Sequence, residues 1–134
     1  MKIDQDYTKH LLNIFIESEC AGIYPDSFVD NGIPLDAKFL FHMQILEDQH
    51  FVECLDKIRG LGYEIGMGGE FTWKGHPIRL TAAGHEFAEA LNKSEVWDVL
   101  KKEFKEASLS TLSNAAKQLL GAFARKQINK YFEL

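Results

Sequence analysis

The sequence predicts a mainly α domain with a small β-hairpin (α+β), a winged helix-turn-helix core extended by two C-terminal helices. Three observations lead there. Apolar residues recur at helical spacing through long stretches at both ends of the chain. Between them, six of the ten glycines fall within residues 60–75, a density that excludes helix. The order of three helices followed by a hairpin is that of a winged helix.

Residues 6–18 read as an amphipathic helix with Asp6 as its cap and Tyr7, Leu11, Leu12, Ile14, Phe15 and Ile16 on a broad apolar face. Gly22, Pro25, Asn31-Gly32 and Pro34 then punctuate the chain and leave room for one short helix near Asp26 to Asp30. A second strong helix covers residues 35–49. Phe51, Val52 and Cys54 read as a short strand. Phe71-Thr72-Trp73 and Ile78-Arg79-Leu80 have strand composition, with the turn signal Lys74-Gly75-His76-Pro77 between them, so a hairpin is expected over residues 63–81. Thr81 caps a helix over 82–92 and Ser94 one over 95–106, with Glu95 and Asp98 early and Lys101, Lys102 and Lys105 late, as the helix dipole prefers. Ser110 starts a last helix to about Phe132, with the stripe Leu112, Ala116, Leu119, Leu120, Phe123, Ala124, Ile128 and Tyr131. The expected division is a winged-helix core over 1–92 and a helical extension over 93–134, packed on that core or in a dimer.

Composition bounds the function. With 134 residues, 46% hydrophobic and 26% charged, the chain has the material for one domain with a core of its own. No window holds ~18 apolar residues, so no membrane span is expected. The start, MKIDQDYTKH, is polar and unlike a signal peptide. Two cysteines are too few for a disulfide framework. A cytoplasmic protein is the expectation. Charge is uneven: residues 1–92 carry seven basic and fifteen acidic side chains, −8, whereas residues 93–134 carry eight and five, +3. The core would therefore repel a phosphate backbone unless its charges segregate by face.

Arg79-Leu80-Thr81-Ala82-Ala83-Gly84-His85-Glu86-Phe87, continuing to Val96-Trp97-Asp98-Val99, resembles the signature of an uncharacterised winged-helix family of bacteria and their phages, the domain of unknown function 2513. It is also similar to the YjcQ-like winged-helix proteins. The resemblance implies a winged helix with C-terminal helices, of phage or prophage type, and assigns no catalytic or binding residue. The glycine-rich wing of this chain is longer than the family pattern. Read physically, the same residues make a packing motif. Leu80 and Phe87 meet across the strand–helix junction, Gly84 lets the helix approach closely, and Val96 and Trp97 bury the next helix.

Candidate chemistry is sparse. Gly60-Leu61-Gly62-Tyr63-Glu64-Ile65-Gly66 looks like a nucleotide loop, but strand-type residues rather than a helix follow it, so a wing loop is expected. His50 and Cys54 are four apart with no second pair at ligand spacing, so no metal is predicted and both thiols are read as buried. His85 and Glu89 share a helix face as a surface pair. No nucleophile motif, cofactor loop or small-molecule site is expected, and no enzyme.

The helix over 35–49 carries more information. At about 100° per residue, Leu35, Phe39, Met43, Leu46 and His50 form its buried stripe. Phe41 and Ile45 face the other way, flanked by Lys38 and His42. A base-reading helix would offer Arg, Lys, Asn or Gln there. An apolar pair points instead to a protein partner or to self-association, through Phe41, Ile45, Lys38 and His42 or through the last helix. The alternative is a DNA-binding regulator using Lys74, His76 and Arg79 at the wing and Arg125, Lys126 and Lys130 on the last helix. A membrane role for that helix is not expected.

Overall fold

Helix α1 (Gln5–Glu17) is capped two residues earlier than the sequence implies: Asp4, not Asp6, accepts the Tyr7 N–H at 3.0 Å. The structure is a computed structural model and describes residues 1–132. Helices α2 (Pro25–Asp30) and α3 (Ala37–Asp48) follow, then strands β1 (Val52–Cys54), β2 (Tyr63–Ile65), β3 (Phe71–Trp73) and β4 (Ile78–Leu80), then helices α4 (Ala82–Leu91), α5 (Ser94–Glu103) and α6 (Leu109–Phe132). The mainly helical α+β class is as expected.

Strand pairing differs from the expected single hairpin. β4 pairs antiparallel with β1, Val52 opposite Leu80 and Cys54 opposite Ile78. Ile23 adds a bridge on the other side of β4. β3 pairs instead with β2, Tyr63 opposite Trp73. The reversal is made at Gly66–Gly69, where Gly69 takes φ +85 and its N–H donates to the Gly66 carbonyl. Lys74 to Pro77 is thus a link between two pairs, not a turn within one. Burial decides this. Ile78 and Leu80 are buried, so β4 takes the inner place between β1 and Ile23, while the half-exposed β3 stays with β2.

An aromatic chain ties the wing to the helices. Phe15 and Phe28 lie 5.4 Å apart, Phe28 and Phe39 5.0 Å, Phe39 and Trp73 5.2 Å, and Trp73 and Tyr63 5.1 Å. The β2–β3 hairpin therefore leans on α3, and Gln44 Nε2 donates to the Tyr63 hydroxyl at 2.8 Å.

The packing motif reads as expected. Leu80 and Phe87 are buried, and Phe51 stacks on Phe87 at 5.1 Å. A Cβ added at Gly84 would overlap the Phe51 carbonyl oxygen, so only glycine lets α4 sit this close to the chain entering β1. Thr81 caps α4, its Oγ1 accepting from the Gly84 N–H at 3.1 Å. Two other caps shift. Lys93 stands at the cap of α5 and Ser94 is its first residue. Ser108, not Ser110, receives the Thr111 N–H at 3.2 Å at the start of α6. Val96, Leu100, Leu109, Leu112 and Ala116 join the same core as α1 to β4, so the C-terminal extension packs on the core across position 92.

Candidate functional site

The predicted α3 face is a surface only in part: Lys38 is exposed, Phe41 and Ile45 are half-buried, and His42 is buried. His42 is 1% exposed. Its Nε2 accepts the Asp4 N–H at 3.0 Å and its Nδ1 lies 2.8 Å from the Lys38 carbonyl, an arrangement that needs a neutral ring with the proton on Nδ1. Lys38 Nζ sits 2.8 Å from Asp4 Oδ2 and over the Tyr7 ring. Ile45 packs against the core, and Phe41 is half-buried, edge-on to His42. His50, expected in the stripe, is exposed at φ +61, just past the end of the helix. The reason is that α3 is apolar on several sides, so its periodicity could not say which side the N-terminus of α1 would close over. Burial pushes the His42 ring below the ordinary histidine range and the Tyr7 hydroxyl up to about 12. The hydrogen bond from Lys38 holds the Asp4 carboxyl below its ordinary range.

The wing cations are occupied. Lys74 Nζ lies 3.2 Å from Glu64, His76 Nδ1 lies 2.9 Å from Asp56, and Arg79 shares Glu53 with Lys57. These partners hold the Glu53 and Asp56 carboxyls below their ordinary range. The tip carries Met67, fully exposed, and Ile65, 63% exposed, rather than basic side chains. Gly60 and Gly62 lead into β2 and not into a helix, so no phosphate cradle forms there.

A larger exposed apolar surface lies instead at α6. The first half of this helix buries Leu109, Leu112 and Ala116 against α4 and α5. From residue 124 to residue 132 every side chain is exposed, with Ile128 at 52%, Tyr131 at 80% and Phe132 at 77%. This overhang stands off the C-terminal end of α1, and a groove of about 1030 Å³ opens beneath it. One wall is formed by Ile16 and Glu17 of α1, His85 and Glu89 of α4, and Glu95 of α5; the other by Leu120, Phe123, Lys126 and Lys130 of α6. Its root is apolar, and its domain-side wall carries Glu17, Glu89 and Glu95 together with Lys93, whose Nζ lies 4.0 Å from Glu95. Helix α6 carries Lys117, Arg125, Lys126 and Lys130 and no acidic side chain. Residues 1–108, in contrast, carry eleven basic and nineteen acidic side chains, −8.

The α6 cations were among the sequence candidates; the groove was not. Its signal was present in the run of 25 residues from Ser108 without an acid. Its walls come from three separate stretches, residues 13–17, 85–95 and 120–130, which no local pattern brings together. Among the described residues no group of three His, Cys, Asp or Glu side chains gathers to hold a metal. Cys20 is exposed, against the expectation of two buried thiols, because it lies in the loop after α1. Burial pushes the Cys54 thiol up to about 11. Among the described residues no helix is long and apolar enough to cross a membrane. Comparison with protein-family models, with curated proteins and with solved structures finds no match.

Proposed function

We propose that this chain is a non-enzymatic, winged-helix-type interaction module that docks a protein through the α6 overhang and the groove beneath it. The observation that carries the reading is the exposure of Ile128, Tyr131 and Phe132 on a helix that stands off its own domain. Apolar side chains grouped beside a concave surface are the usual mark of a protein-binding face. The winged-helix part rests on three helices followed by β1, the wing and β4, with the Ile23 bridge extending that sheet. Two buried titratable groups serve the fold: both ring nitrogens of His42 are engaged by backbone, and Cys54 is buried.

DNA binding is the competing reading, and the cations of α6 are what favours it. Against it stand the carboxylate partners of Lys74, His76 and Arg79 and the −8 charge of residues 1–108. Fluorescence anisotropy of labelled duplex DNA, at about 50 and about 200 mM salt, separates the two, because phosphate-driven binding weakens steeply over that span. No saturable binding at the lower salt is expected. Saturable, steeply salt-dependent binding would replace the interaction-module reading with a DNA regulator.

A further inference from the structure

We propose that the distal half of α6 is a strap that bends at Gly121 and closes over the groove of its own chain, covering the docking face until a partner lifts it. That the covered face is a docking face rests on the interaction-module reading; the closure itself does not.

The charges that draw the strap down already face one another. The domain side of the groove carries Glu17, Glu89, Glu95 and Lys93, a balance of −2, and the α6 side carries Lys126 and Lys130, +2. Lys93 lies 4.0 Å from Glu95, which leaves Glu17 and Glu89 as the open carboxylates. Among the described residues neither of these two, nor either α6 lysine, has an ion-pair partner within 4.0 Å. Opposite charges across a water-filled gap attract over a Debye length of about 10 Å, and closing the gap strengthens that attraction.

Gly121 supplies the joint. It lies where α6 leaves the body: Leu120 and Phe123 still pack against the core, and every side chain from 124 to 132 is exposed. Glycine weakens a helix interior more than any residue but proline. Close packing does not ask for it here, since a Cβ would meet nothing nearer than the Arg125 guanidinium at 3.5 Å. Gly84 is the opposite case, held by the Phe51 carbonyl. Small residues at the edge of a packed element are frequent hinges. Tyr131 lies ten residues beyond Gly121. That is a lever of about 15 Å, so a bend of about 25° carries its end about 6 Å toward the body.

The faces agree with this movement. At about 100° per residue Leu120, Ala124, Gln127 and Tyr131 fall along one side of α6, and the first three line the groove. Tyr131 thus stands on the groove side of the strap. Ile16, 44% exposed, is the apolar side chain on the α1 wall. Closure brings Tyr131 toward Ile16 and the two lysines toward Glu17 and Glu89, so apolar side chains exposed on opposite walls leave water together.

Pulsed dipolar spectroscopy of the full chain tests this, with spin labels on Cys20 and on Asn129→Cys. Cys20 is exposed in the loop after α1, residue 129 lies on the far side of α6 from the groove, and Cys54 is buried and escapes labelling in the native state. At about 0.05 M salt a short-distance population is expected beside the open one, and at about 0.5 M it should shrink severalfold, because the Debye length shortens. Lys126→Glu with Lys130→Glu should abolish the short population, and Glu17→Lys with Glu89→Lys added to the same chain should restore it. Gly121→Ala should reduce it with every charge in place. Circular dichroism should be unchanged throughout. A single distance indifferent to salt overturns the proposal. So does a short population that survives the lysine reversal, is not restored by the exchange or is unchanged in Gly121→Ala. One that vanishes on dilution with unlabelled chain lies between copies and overturns it too. An open strap in a chain that ignores DNA removes the closure and leaves the interaction-module reading standing, whereas closure together with DNA binding in the anisotropy experiment keeps the strap and removes that reading.

Discussion

The backbone N–H of Asp4 donates to Nε2 of His42 at 3.0 Å, and this contact locks the start of α1 onto α3. The ring can accept only while it is neutral. In the folded chain burial disfavours the charged ring and outweighs the hydrogen bond to the Lys38 carbonyl, which favours it, so His42 resists protonation. The unfolded chain protonates near ~6.5. Between that value and the lower folded one the unfolded state binds more protons, so stability falls as the pH drops through the window. Urea denaturation from about pH 7.5 to about pH 5.5 should show this decline. His42→Leu leaves the Asp4 N–H unpartnered and should cost about 1–3 kcal/mol at the upper pH. Its decline over the window should be shallower than the wild type's. Burial raises the Glu47 carboxyl, which acts with opposite sign just above its ordinary range, but it is common to both proteins and drops out of the comparison. Equal slopes would refute the assignment to His42.

Glycine at position 84 is a packing requirement. Gly84→Ala drives a methyl group into the Phe51 carbonyl oxygen, a backbone atom that cannot swing aside. The substitution should cost at least about 1–3 kcal/mol, as overpacking of a close contact does. Gly121→Ala is the internal control. A methyl group there meets nothing nearer than the Arg125 guanidinium at 3.5 Å. Removing a glycine from a helix interior should stabilise by about 1 kcal/mol. Thermal unfolding of the pair should move the midpoints in opposite directions.

Thr81 does two things with one hydroxyl. Its Oγ1 donates to the His50 carbonyl at 2.6 Å and accepts the Gly84 N–H at 3.1 Å, joining the cap of α4 to the turn before β1. Thr81→Ala should therefore cost about 1–2 kcal/mol by chemical denaturation, and Thr81→Ser much less, since serine keeps the oxygen. Equal losses would place the effect in the methyl group rather than in the cap.

The two thiols should titrate separately. Cys20 is exposed and Cys54 is buried, with its ionisation pushed up to about 11. A disulfide reagent near neutral pH attacks the thiolate, so the native chain should consume one equivalent promptly and the second only in denaturant. Two prompt equivalents in the native state would mean that β1 opens readily.

The chain punctuation was legible because it is local chemistry. Thr81 at a cap, Gly84 at a close approach and the glycines of residues 60–75 outside any helix each reflect constraints on a few neighbouring residues. The cap shifts at Asp4, Lys93 and Ser108 are differences of one or two positions between adjacent polar residues that could each have served.

By itself the sequence determined the six helices, the strand-rich interruption, the acidic body and the acid-free last helix, since propensity, periodicity and charge are properties of the residues in order. Tertiary structure alone decided which strands pair, which side of α3 is closed over, and where α6 leaves its domain. β3 and β4 have similar composition, and only the place between β1 and Ile23 makes β4 the inner strand. Phe41, His42 and Ile45 all suit a surface or a core, and only the arrival of Asp4 and Tyr7 buries His42. The stripe of α6 runs unbroken from Leu112 to Tyr131, yet the body it packs on ends before the helix does, and where a body ends is set by residues far away in sequence.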